Sequence, residues 1–121
     1  ERIDHGHNCL TDENSVNEII KRDMALTVCP LSNLELKVVT DLKQHPLKTM
    51  LNKGIKATVN SDDPAYFWDY LNQNFTTIQK TLDLSKEDLL TLAKNSFQYS
   101  LLDENRKKEL MNLVDEYALN N

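Results

Sequence analysis

Three short runs suited to β-strands recur along the chain, each separated from the next by a stretch of helical spacing. Arg2-Ile3-Asp4-His5-Gly6 reads as the tail of a strand that stops at glycine. Ala25-Leu26-Thr27-Val28-Cys29 is a compact apolar strand stopped by Pro30, and Ile55 to Asn60 is the third. Strands that alternate with helices over short connections lie parallel, with right-handed crossovers, and a parallel sheet is covered on both sides. Three strands cannot close into a barrel, which takes eight strands and about 250 residues. The expected fold class is α/β: a small open sheet, or part of something larger.

The intervening stretches carry helix signals. Asp12 or Ser15 can cap a helix with Val16, Ile19 and Ile20 on one side. Pro46 can open another, with Leu47, Met50 and Leu51 inward and Gly54 just past its end. A longer helix is expected after Pro64, with Phe67, Leu71, Phe75 and Ile78 at helical spacing. Ser85 with Asp88 resembles a capping box ahead of Leu89, Leu92 and Ala93. Asp103 can start a last helix through Leu110, Val114 and Tyr117. With two glycines and three prolines, the chain has little material for long flexible loops.

Composition excludes some partners. The formal charge is -5 and no basic stripe is available to neutralise phosphates, which argues against nucleic acid. Mixed runs such as Asp103-Glu104-Asn105-Arg106-Lys107-Lys108-Glu109 read as solvated helix faces. No apolar stretch approaches the roughly 20 residues that cross a bilayer, so no membrane partner is expected. Cys9 and Cys29 lack the close pairing of a zinc knuckle or redox motif, and the expectation is reduced thiols in an intracellular protein, in the cytoplasm or the nucleus. Cys29, in an apolar run, reads as a small core residue.

The polar residues follow the strand plan. His5 lies at the carboxyl end of the first strand, Ser32 and Asn33 follow the second, and Asp62 and Asp63 follow the third. In parallel α/β folds these ends share one rim, where active sites are built. Two readings of Ser61-Asp62-Asp63-Pro64 stand side by side. One is a solvated turn, with Asp63 or Ser61 capping the next helix and Pro64 at its first position. In the other, the adjacent carboxylates repel one another unless a metal, a proton or a polar ligand joins them. A histidine and a carboxylate at one rim can bind a divalent metal or share a proton. One His and one Asp are too few for a catalytic zinc, which takes three protein ligands and keeps a position for water. At a metal site, further ligands would lie outside this chain.

Four ordered motifs resemble the adenosine/adenine deaminase family: Glu1-Arg2-Ile3-Asp4-His5-Gly6, Thr27-Val28-Cys29-Pro30-Leu31-Ser32-Asn33, His45-Pro46 and Asn60-Ser61-Asp62-Asp63-Pro64. The resemblance runs through nearly the whole chain and weakens after about Leu102. Asp4 before His5, Leu31-Ser32-Asn33 and Asp62-Asp63-Pro64-Ala65-Tyr66-Phe67 lean toward the adenine deaminase branch, while Trp68-Asp69 departs from the Gly-Gly pair common there. The resemblance implies a zinc-bearing (β/α)8 barrel that hydrolyses the exocyclic amine of a purine base or nucleoside. It implies that Asp62 is a zinc ligand that also hydrogen-bonds the attacking water. By the same resemblance, Asp63 contacts the imidazole edge of the purine, and His5 steers the hydroxide as it attacks. The Pro-Cys-x-x-Cys zinc motif of the cytidine-type deaminases is absent.

The resemblance also implies residues that this sequence lacks: a His-x-His pair, and a His-Ala-Gly-Glu type segment supplying a third histidine and a proton-shuttling glutamate. On that basis residues 1–121 are expected to be the C-terminal portion of a single barrel domain, carrying strands six to eight and the closing helices. Such a portion is expected to be inactive alone and to hold zinc weakly. Its exposed edges favour self-association. Rival expectations are an adenosine or N6-substituted purine deaminase of the same family, and a non-catalytic assembly module.

Other residues carry blander readings. His7 is expected in an exposed loop. His45 is expected to cap or pack at a helix start on the rim opposite the site. Tyr66, Phe67 and Trp68 could wall a purine by stacking, or Phe67 could join a core cluster. Ser32 could bond near the site or cap a turn. Asp4 could select the base, or pair with Arg2 or a backbone donor.

Overall fold

The computed structural model describes residues 1–121 and holds a three-stranded parallel sheet in the order β1 (Arg2–Asp4), β2 (Ala25–Val28), β3 (Lys56–Val59). Ile3 is paired with Leu26 and Leu26 with Ala57; Asp4 is paired with Thr27 and Thr27 with Thr58. Because strand side chains alternate, Ile3, Leu26, Val28, Ala57 and Val59 share one face, while Arg2, Asp4, Thr27 and Thr58 share the other. The first face is covered over Leu26, Val28, Ala57 and Val59, while Ile3 on the edge strand stays exposed. The second is polar, with Arg2 and Asp4 exposed, where a sheet covered on both sides was expected.

The apolar face packs on the helices. Helix α1 (Glu13–Lys21) starts at Asp12, whose carboxylate accepts the Ser15 amide at 2.9 Å, so Asp12 and not Ser15 is the cap. It buries Val16 and Ile19 and leaves Ile20 outside the core, at the edge of the stripe. Pro30 ends β2 and also opens a helix the sequence did not announce, α2 (Pro30–Glu35), since proline suits a first helical position. Helix α3 (Leu47–Asn52) buries Leu47 and Met50, and Gly54 follows it with φ +84°, a left-handed turn that glycine adopts without strain. Leu26, Val28, Leu47, Met50, Ile78 and Leu92 meet in one core.

The helix expected after Pro64 is two helices. α4 (Pro64–Phe67) ends at Trp68, whose φ of +59° breaks the helical path, and α5 (Leu71–Thr81) restarts with the Tyr70 amide donating to Gln73 Oε1 at 2.7 Å. α6 (Lys86–Gln98) has the reciprocal Ser85–Asp88 box: the Asp88 amide reaches Ser85 Oγ at 3.0 Å and the Ser85 amide reaches Asp88 Oδ2 at 2.9 Å. Asn95 of α6 donates to the Ala57 carbonyl at 2.9 Å, satisfying a buried backbone group of β3. Tyr99, just past α6, donates to Asp23 Oδ1 at 2.7 Å and fixes the turn before β2. Asp103 caps α7 (Glu104–Asn120), which packs on α6. No helix is long and apolar enough to cross a membrane.

Candidate active site

The carboxyl ends of the three strands come together through backbone turns that most side chains avoid. His5 and Gly6 follow β1 with φ of +65° and +66°, and Asp62 follows β3 with φ of +61°. Gly6 is required at its place: a Cβ there would stand 2.8 Å from a methyl of buried Leu26. Asp62 has no such relief, so its left-handed backbone is a local strain held by its surroundings.

Those surroundings come from β2 and α2. Ser32 Oγ, buried at the start of α2, donates to Asp62 Oδ2 at 2.7 Å. Cys29, the residue after β2, presents its sulfur to the Asp62 backbone amide. A ring nitrogen of His5, Sγ of Cys29 and a carboxylate oxygen of Asp62 all lie within 4.8 Å of one another. Burial first, and then the charge of Asp62, push the Cys29 thiol up to about 11, against the pull of the Asp62 amide.

This donor set matches zinc in kind, since zinc takes imidazole, thiolate and carboxylate ligands at about 2.0–2.3 Å. Beside Asp62 opens a cleft of about 460 Å³ lined by Arg2, Asp4, Thr27, Asn60 and Leu71, among others. Asp4 accepts from Thr27 Oγ1 at 3.0 Å and pairs loosely with Arg2 at 3.7 Å.

Asp63 turns the other way. Its Oδ1 accepts the Tyr66 amide at 3.2 Å and caps α4, with Pro64 in the first turn, so the capping reading of Asp63 is realised in the structure. Tyr66 and Phe67 pack edge to face at 5.0 Å. Tyr66 and Trp68 point into solvent, and none of the three aromatics lines the cleft.

Two expectations for histidines are overturned. His45 lies on the site's own rim: its Nε2 is 3.1 Å from Asn33 Oδ1, in the helix that follows β2. A helix that follows a strand begins beside that strand's carboxyl end, so its start belongs to this rim. His45 Nδ1 accepts the Leu47 amide at 3.2 Å, which leaves the proton on Nε2, to be donated to Asn33. Burial, and the nearby His7, push His45 down to about 4. His7 is half-buried, not exposed, and its Nδ1 is enclosed without a partner.

Two contributors were missed. Cys29 is buried as expected, but nothing in its apolar run signals that its sulfur faces the rim. Asn74 is fully buried in α5; its Oδ1 accepts the Leu31 amide at 3.3 Å and its amide donates to the Tyr70 carbonyl at 3.2 Å. It pins the start of α2, and therefore Ser32, in place.

A parallel α/β segment with a carboxylate and an imidazole gathered at the carboxyl ends of its strands has the arrangement on which β/α barrels build their sites. The family profile of adenosine deaminase matches residues 1–117, and the chain belongs to that family. Over 118 residues it is 52% identical to an adenine deaminase of Sphingopyxis alaskensis, covering 98% of this chain and 35% of that protein. The crystal structure of an adenine deaminase from Arthrobacter aurescens superposes with a TM-score of 0.95 at 44% identity, covering 98% of this chain and 36% of that one. A zinc-bound amidohydrolase from Burkhoderia ambifaria shares the fold, with a TM-score of 0.83 at 20% identity, over 97% of this chain and 34% of that one. The chain thus spans about a third of the length of the relatives it matches, and its three strands and their helices are a portion of the family's β/α barrel.

Proposed function

We propose that the protein containing this segment is a zinc-dependent adenine deaminase that hydrolyses adenine to hypoxanthine and ammonia, in the cytoplasm. Residues 1–121 contribute part of its single barrel domain and are inactive alone. The observation that carries the reading is the convergence of His5 and Asp62 at one rim, with Asp62 anchored by Ser32. Similarity to adenine deaminases at about half identity supports the choice of base.

In this reading Asp62 holds zinc, completed by ligands from outside this segment. Bound there, zinc would supply a water of lowered pKa at neutral pH. Ser32 occupies Oδ2 of Asp62 and so orients the carboxylate, leaving Oδ1 free of that bond. His5, at the same rim, would hydrogen-bond the attacking water and direct it at the amine-bearing carbon of the purine. Addition makes that carbon tetrahedral, and expulsion of ammonia restores the ring. Asp63 meets the imidazole edge of the base, a contact compatible with its cap because only Oδ1 is engaged. The exposed edge strand β1 is where we place self-association of the segment.

Ammonia release from adenine, adenosine and an N6-substituted purine by the whole protein tests the assignment. Preference for adenine is expected. Preference for either of the others would move the substrate while keeping the chemistry, and turnover of none with zinc supplied would leave the non-catalytic module.

A further inference from the structure

We propose that His45 and Asn33 are positioning residues: a buried imidazole–amide pair that fixes Ser32 and, through it, the carboxylate of Asp62. The inference deepens the proposed function and rests on its placement of a metal at Asp62.

Ser32 sits on α2, a helix of six residues, too short to hold its own shape in isolation. Side chains from two other elements grip it on either side of Ser32. On one side, Oδ1 of Asn74 in α5 accepts the Leu31 amide at 3.3 Å. On the other, Nε2 of His45 donates to Asn33 Oδ1 at 3.1 Å. The Asn33 carbonyl also accepts the Val38 and Val39 amides, at 2.9 and 3.2 Å, so Asn33 fixes the path of the chain as it leaves α2. Ser32, Asn33, His45 and Asn74 are all buried.

His45 is itself clamped. Its backbone amide donates to the Leu42 carbonyl at 3.0 Å, and its Nδ1 accepts the Leu47 amide at 3.2 Å. The ring is thereby held in one tautomer and one orientation, with its single N–H aimed at Asn33. Neither His45 nor Asn33 lines the cleft beside Asp62, so their effect on the site passes through α2.

Asp62 depends on that support. Its carboxylate makes one side-chain hydrogen bond, the 2.7 Å bond from Ser32 Oγ, while its backbone stands in the left-handed region. Hydrogen bonds weaken steeply as their angle departs from linear. A metal-binding group must stay within about 0.5 Å of its productive place, which requires that the residues behind it be locked as well. A shift of α2 that moves the Ser32 hydroxyl therefore loosens the one side-chain bond that aims Asp62.

The test uses the whole protein. Zinc affinity is measured by competition with a chromophoric chelator, beside kcat and KM for adenine. His45→Phe fills the ring volume but cannot donate to Asn33. Zinc affinity and kcat are each expected to fall about tenfold, the lower end of what outer partners of a metal site contribute, with KM little changed. His45→Gln can still donate an N–H and is expected to recover most of the loss. In a Ser32→Ala background, His45→Phe is expected to cost nothing further in zinc affinity, because the link to Asp62 is already cut. Asn33→Ala cuts the same link from its other end and is expected to show the same loss and the same non-additivity, so it decides the matter should His45→Phe fail to fold. Losses that multiply in the double variants would overturn the inference, since a pair that only stabilised the fold would act independently of Ser32. Full zinc affinity in His45→Phe and Asn33→Ala, beside loss of zinc in Asp62→Asn, would sink this inference and spare the deaminase reading. Zinc affinity coupled through Ser32 in a protein that does not turn over adenine would do the reverse.

Discussion

Ser32 Oγ donates a 2.7 Å hydrogen bond to Asp62 Oδ2, tying the helix after β2 to the carboxylate after β3. Ser32 is buried while Asp62 is exposed, so the enclosed partner fixes the open one. Ser32→Ala removes the donor and leaves the Asp62 backbone strain without its side-chain anchor. In the whole protein, zinc affinity is expected to fall by about 10–100-fold, as for other residues that orient a ligand. Thermal stability of the segment is expected to drop by about 1 kcal/mol, because the bond is partly open to water. Metal titration against Ser32→Ala and Ser32→Thr checks this, with Thr expected to recover most of the loss.

His45 gives the fold a predicted pH dependence. Its value in the folded chain, about 4, lies below the usual histidine value of about 6.5, chiefly through burial. Between those values the unfolded chain holds more protons, so stability rises with pH across that window. The contribution is complete above about pH 6.5, is lost as pH falls toward 4, and changes no further below that. Its size is of the order of 3 kcal/mol. Urea unfolding from pH 7 to pH 4 is expected to show this loss, and His45→Gln, which cannot titrate, is expected to flatten it.

Trp68 stands in the left-handed region with 82% of its surface exposed. Bulky residues pay roughly 1–2 kcal/mol for that conformation, and glycine does not. Glycine adds about 0.5–1 kcal/mol of unfolded-state entropy, and the exposed ring gives up little packing. Trp68→Gly is therefore expected to stabilise the segment by about 0.5–1 kcal/mol in equilibrium unfolding. A loss of stability would mean that Trp68 packs against something the strain argument ignores.

The parallel sheet and the Asp62–His5 pairing were legible in the sequence because strand ends in a parallel sheet share a rim, whatever the detail of the loops. The capping residues Asp12, Ser85 and Asp103 were legible because the caps are local. What escaped depends on tertiary context. The break at Trp68 is a single backbone angle inside a run of good helical spacing. The role of Asn74 depends on an amide that lies 43 residues away. The rim of His45 was misassigned through topology: the residue precedes the helix that runs back from the site, so it stands beside the site.

The central claim is that Asp62 holds the metal and Asp63 the base. The most direct test measures ammonia release from adenine and bound zinc together, in the whole protein and in Asp62→Asn and Asp63→Asn. Asparagine keeps the cap at position 63, so folding is expected to survive both changes. The account predicts that Asp62→Asn loses both zinc and turnover, while Asp63→Asn keeps zinc and loses turnover chiefly through weaker substrate binding. Full zinc and full turnover in Asp62→Asn would contradict it.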